Sequence, residues 1–183
     1  MSERFCEFEV AGCKRKLYIQ NISDKVAIAG FILLGDVELV ENCAAELSKV
    51  IPQDTEIIMT AETKGIPLAA SLARILGMKN YIVARKSMKA YMKNPIWVDD
   101  ESITTSGKQK LGLSDFDVQK IRDKKVLILD DVISTGGSLL AMEKLVEKAG
   151  GKVCGKAAVL AEGDAAKRND IIFLKELPLF KAE

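Results

Sequence analysis

The chain has 183 residues, a formal net charge of +1, 48% apolar residues and 29% charged residues, which suits one domain with a substantial core of its own. With the charges nearly cancelled and no apolar run of bilayer length, neither nucleic acid nor a membrane is expected as a partner. Histidine is absent, so Ser-His-Asp hydrolysis and histidine acid–base chemistry are excluded. The four scattered cysteines have no C-x-x-C spacing and argue against a zinc site.

Met1-Ser2-Glu3-Arg4 lacks the apolar core of a signal peptide, and free thiols are expected in a reducing, cytoplasmic setting. Residues 5–35 alternate apolar pieces with polar turns: Phe5 to Val10, Lys16 to Gln20 and Val26 to Leu34 read as short strands. Asp36 then has the character of a helix cap. Val37, Val40, Cys43, Ala44 and Leu47 form a helical stripe to about Val50, and Pro52 closes it.

Thr55 to Thr60 reads as a buried strand, followed by the loop Ala61-Glu62-Thr63-Lys64-Gly65. Pro67 suits the first turn of a second helix, which carries Leu68, Ala69, Leu72, Ala73 and Leu76 on one stripe and ends at Gly77. Asn80 to Ala84 reads as the next strand. This βαβ order predicts a parallel sheet with helices on both faces and ligands beyond the carboxyl ends of the strands. Between Arg85 and Lys125 no element is predicted except a hairpin from Ile96–Val98 and Lys110–Leu113. Lys152 to Leu160 reads as a further strand, Glu162-Gly163-Asp164 as a loop, and Ile171–Leu174 and Leu177–Phe180 as short terminal strands.

The most informative stretch is Val126-Leu127-Ile128-Leu129-Asp130-Asp131-Val132-Ile133-Ser134-Thr135-Gly136-Gly137-Ser138. A buried strand leads into two carboxylates, then into small hydroxyl residues and glycines. A helical stripe of Leu139, Leu140, Met142, Leu145 and Val146 follows. Glycines let the backbone approach a ligand, and the first N–H groups of a helix are unpaired, so the turn Ser134 to Ser138 favours a phosphate. A phosphate beside two acids fits a 5-phosphorylated ribose, with its hydroxyls on Asp130 and Asp131.

These thirteen residues resemble the signature of the type I phosphoribosyltransferases, which bind phosphoribosyl pyrophosphate (PRPP). Ala61-Glu62-Thr63-Lys64-Gly65 is similar to the pyrophosphate loop of the adenine and related purine branch. Arg85-Lys86 is similar to that branch's basic pair on the pyrophosphate side. The resemblance runs from about Gly35 to Leu179. It implies an α/β fold with a central, mostly parallel sheet and helices on both faces. The core would span 36–160, a small hood 1–35 plus about 161–183, and a flexible lid about 86–113.

It implies transfer of the 5-phosphoribosyl group to a purine, with adenine preferred and hypoxanthine or xanthine as alternatives. Orotate is a weaker one, and a PRPP- or purine-sensing regulator is the alternative of another class. The implied roles place ribose and, through water, Mg²⁺ at Asp130 and Asp131, both anionic beside an oxocarbenium-like transition state. The 5-phosphate falls to Ser134, Thr135, Gly136, Gly137 and Ser138. Pyrophosphate falls to Glu62, Thr63, Lys64, Gly65, Arg85 and Lys86, and the base to Phe31, Val132 and Glu162. Glu101 is the candidate acid–base residue of the lid. A homodimer is expected from the resemblance.

Overall fold

The apolar run that precedes the acid pair becomes the axis of the molecule. The computed structural model describes residues 4–100 and 109–183. In it the run forms the strand β8 (Lys125–Ile133), with β4 (Ile57–Ala61) on one side and β9 (Lys152–Glu162) on the other. β5 (Ile82–Ala84) and β10 (Ile172–Leu177) complete a five-stranded sheet in the order β10-β9-β8-β4-β5, parallel at every pairing. This is the expected α/β architecture.

Strand alternation splits β8 between two apolar layers. Leu127 and Leu129 face the layer of α1 (Val37–Leu47) and α2 (Ile66–Ile75), where Leu39, Leu47 and Leu72 pack. Val126 and Ile128 face Met142 and Leu145 of α4 (Gly137–Lys148) on the other side. All of these side chains are at most 1% exposed, and each full burial contributes about 1.5–3 kcal/mol. Burial on both faces explains why this strand reads as an unbroken apolar run.

The N-terminal segments fold into a second sheet. β1 (Phe5–Val10), β2 (Cys13–Asn21) and β3 (Val26–Ala29) pair antiparallel, and β11 (Leu179–Lys181) adds to β3. Arg15 of β2 fixes this sheet to the core. It donates to both carboxylate oxygens of Asp36 (2.6 and 2.9 Å) and to Glu38 (2.7 Å). Asp36 caps α1 by accepting from the Leu39 N–H (3.1 Å), as its sequence position suggests. The Arg15 guanidinium holds the Asp36 carboxyl below its ordinary pKa.

Three expectations change. The segment Ile172–Leu177, assigned to the hood, pairs with β9 in the main sheet, so only β11 returns to the hood. The helical stretch expected to reach Val50 ends at Leu47. The interval from Arg85 to Lys125 contains, besides the hairpin β6 (Ile96–Asp100) and β7 (Gln109–Leu113), a short helix α3 (Asp115–Ile121). Its start was written as Ser114-x-x-Asp117: the Ser114 hydroxyl accepts from the Asp117 N–H (3.3 Å) and donates to its carboxylate (2.6 Å). Seven residues are too few for a helical stripe to show.

Candidate active site

The carboxyl ends of β4, β8 and β9 open into one cleft of about 460 Å³, closed at one end by the hood. Phe31, Glu62, Thr63, Lys64, Lys86, Asp130, Asp131, Val132, Ser134 to Ser138 and Glu162 all line it. Gly65 does not line it. Arg85 faces a separate cleft with Tyr81, Tyr91 and Phe116. Glu101 lies outside the described residues.

The turn Ser134 to Ser138 has the form its composition implies. Gly136 is left-handed (φ 82°) and stands at the N-cap position of α4, with no side chain capping the helix. Its carbonyl accepts from Leu140 (3.0 Å). The first N–H groups of α4 therefore stay available at the cleft wall, a natural seat for an anion. Ser138 donates to the Asp100 carboxylate (3.3 Å), which brings the far end of β6 to the same helix end.

The two acids behave differently. Asp131 is buried, 4% exposed, and its Oδ2 accepts no hydrogen bond among the described residues. That oxygen faces the Lys64 ammonium at 3.3 Å. The Asp131 N–H donates to Asp130 Oδ1 (2.9 Å). Burial pushes the Asp130 carboxyl well above the ordinary carboxylate range, the neighbouring Asp131 charge pushes it further, and Lys64 opposes both. The two acids are thus not equivalent: the Asp130 carboxyl resists ionisation, while Asp131 faces the Lys64 ammonium. Desolvation beside a like charge is the reason.

The loop after β4 holds its functional groups by spending others. Glu62 accepts from Arg85 Nη1 (2.8 Å) and from the Lys86 N–H (2.8 Å). Burial raises its pKa, but these donors outweigh burial and hold the carboxyl below its ordinary value. The Glu62–Thr63 peptide is cis. Glu62 and Arg85 thus satisfy each other, and the cations left facing the cleft are Lys64 and Lys86. Lys64→Ala is therefore expected to weaken PRPP and pyrophosphate binding at least tenfold, roughly one charge-assisted contact, while sparing the free base. Calorimetry with each ligand checks this; equal losses for all three would make Lys64 structural.

At the hood end the wall is Ile28 to Ile32 with Leu177. Phe31 was a candidate stacking ring, yet it is only 4% exposed and packs in the core cluster; its neighbour Ile32 is 59% exposed. No local pattern announced Ile28, Ile32 or Leu177 as wall residues. The pairings of β3 with β11 and of Leu177 with Glu162 bring them together. Glu162 is half-buried at the end of β9; burial raises its pKa and Lys64 lowers it.

Comparison with known proteins agrees with this geometry. Residues 36–178 match the phosphoribosyl transferase domain. The hypoxanthine/guanine phosphoribosyltransferase of Ferroglobus placidus is 32% identical over 133 residues, 73% of this chain and 67% of that one. The adenine phosphoribosyltransferase of Fervidobacterium nodosum is 34% identical over 140 residues, 76% of this chain and 75% of that one. Among solved structures, adenine phosphoribosyltransferase from Thermoanaerobacter pseudethanolicus superposes with a TM-score of 0.66 at 24% identity, covering 79% of this chain and 84% of that one. The Saccharomyces cerevisiae enzyme, solved with an imino-altritol bisphosphate and adenine, gives 0.66 at 22% identity, covering 86% and 92%. Below 25% identity these structures speak for the fold; the domain match and the relatives carry the kinship. The chain belongs to the phosphoribosyl transferase domain family.

Proposed function

We propose that this chain is a purine phosphoribosyltransferase, moving the 5-phosphoribosyl group of PRPP to N9 of a purine, with adenine preferred, and releasing pyrophosphate. One observation carries the reading. The acid pair, the Ser134 to Ser138 turn and the Lys64 loop share one cleft, and its far end offers an apolar wall with the single carboxylate Glu162. In this reading the turn takes the 5-phosphate, Asp131 and Asp130 take the ribose hydroxyls, and Lys64 with Lys86 takes the pyrophosphate. The Asp131 charge also steadies positive charge developing on the ribose ring.

Mg²⁺ belongs to this reading. Two adjacent carboxylates, one with a buried oxygen lacking a hydrogen bond, offer hard donors. No cluster of three potential ligands occurs among the described residues. That donor set suits an ion held mainly by substrate oxygens and water, with Asp130 and Asp131 as its protein partners. The ion would offset the charge of the leaving pyrophosphate. No described helix is long and apolar enough to cross a membrane.

The preference for adenine rests on Glu162. A carboxylate accepts, so it suits the exocyclic amine of adenine and opposes the C6 carbonyl of hypoxanthine. Hypoxanthine and guanine form the second reading, supported by the relatives that bear those names. Incubation with PRPP, Mg²⁺ and each of adenine, hypoxanthine, guanine, xanthine and orotate tests both. AMP is expected to dominate, and Glu162→Lys should move the ratio of adenine to hypoxanthine use at least tenfold toward hypoxanthine. Dominant IMP or GMP in the wild type would replace the first reading by the second. No product, with PRPP bound by calorimetry, would indicate a sensor.

A further inference from the structure

We propose that Arg168 is a positioning residue for the phosphate turn: its guanidinium, locked by Asp170, is laid against Gly136 and holds the turn in the shape that grips the 5-phosphate. The proposal rests on the reading of Ser134 to Ser138 as the 5-phosphate seat. Arg168 follows the 3₁₀ turn Gly163–Lys167, on the chain that returns from β9. Nothing in its local sequence marks it, and it does not line the cleft.

Its placement is fixed by a closed ring of contacts. Arg168 Nε and Nη2 donate to the two oxygens of Asp170 (2.8 and 2.7 Å), a planar fork on a planar acceptor. Asp170 also accepts from Lys156 of β9 (2.6 Å), and Lys156 pairs with Glu143 of α4 (2.7 Å). Glu143 lies on the helix whose first turn carries the phosphate seat. The ring therefore leaves α4 at Glu143 and returns to its N-terminus at Gly136.

The return contact is close. A β-carbon built on Gly136 would lie 2.8 Å from Arg168 Nη1. An unrestrained arginine tip could give way to a side chain there, but this one has its other two nitrogens committed to Asp170. Arg168 Nη1 thus occupies the space a side chain at position 136 would need, beside a turn that lines the cleft. The four charges of the ring are two and two, with the positive end nearest the turn. Arg168 and Lys156 hold the Asp170 carboxyl well below the ordinary carboxylate range.

The test separates the two ends of the substrate. Arg168→Gln keeps a donor for Asp170 and removes the charge and the fork. It is expected to weaken ribose 5-phosphate binding and raise the KM for PRPP by about tenfold, with pyrophosphate affinity and kcat at saturation unmoved. Arg168→Lys, which restores the charge, should recover part of the loss. Unchanged ribose 5-phosphate affinity in Arg168→Gln, or an equal loss for pyrophosphate, would overturn the proposal. If Arg168→Gln fails to fold, Asp170→Asn replaces it: a smaller loss of ribose 5-phosphate affinity alone is expected, and no loss overturns. A wild type that binds neither ribose 5-phosphate nor PRPP would instead remove the functional reading on which this one stands.

Discussion

Asp131→Asn should lower turnover by about a thousandfold, the size of losing one preorganised electrostatic group, and leave the fold intact. The side chain is buried and isosteric with asparagine, so packing survives. The hydrogen bond between the two acids runs from the Asp131 main-chain N–H to Asp130, so it survives as well. What disappears is the charge 3.3 Å from the Lys64 ammonium. Lys64 then faces a neutral amide, and the Asp130 carboxyl loses the like charge that helps raise its pKa, so it moves back toward its ordinary value. Single-turnover assays beside a thermal melt check this. The melting temperature should hold, since a desolvated acid has been removed; wild-type turnover would defeat the assignment of the ribose site.

The second large effect is steric. Gly65 has an ordinary φ of −73°, so its backbone would accept alanine. The space would not: a β-carbon there would sit 2.3 Å from Thr60 Oγ1 and 3.6 Å from the Asp130 Cα. Thr60 is fully buried and cannot retreat. Gly65→Ala is therefore expected to cost about 1–3 kcal/mol of stability through overpacking. It should also push the Lys64 loop away from Asp131 and weaken PRPP binding by tenfold or more, since small misplacements at a reacting site are expensive. The Thr60 hydroxyl has no hydrogen-bond partner among the described residues, so deleting it sacrifices none. Thr60→Ala placed in the Gly65→Ala background should restore most of the affinity. Failure of that pair to couple, read by calorimetry and melting, would show that the contact is not what requires glycine at position 65.

The parallel sheet was legible because burial on both faces writes itself as apolar runs such as Val126 to Leu129. The strand-to-helix turn from Ser134 to Ser138 was legible because its two glycines are a local device whose meaning lies in adjacent residues. Local reading stops where chemistry depends on partners distant in sequence. Glu62 and Arg85, 23 positions apart, both looked like pyrophosphate ligands, and only their mutual pairing tells that each occupies the other. The raised pKa of Asp130 follows from burial beside Asp131, which no residue name carries. Arg168 gives no sign of its neighbour Gly136 until β9 and the 3₁₀ turn bring them together.

Arg85 has a further consequence. Its main-chain N–H and carbonyl both bond to Gly112 of β7, each at 2.8 Å, while its side chain grips Glu62. One residue therefore ties the hairpin, through its backbone, to the Glu62 loop, through its guanidinium. A displacement of the hairpin root is therefore expected to reach the loop that carries Lys64, 3.3 Å from Asp131. On the proposed function, departure of pyrophosphate and movement of the hairpin are expected to be coupled through this linkage, and the rate of either should track the rate of the other.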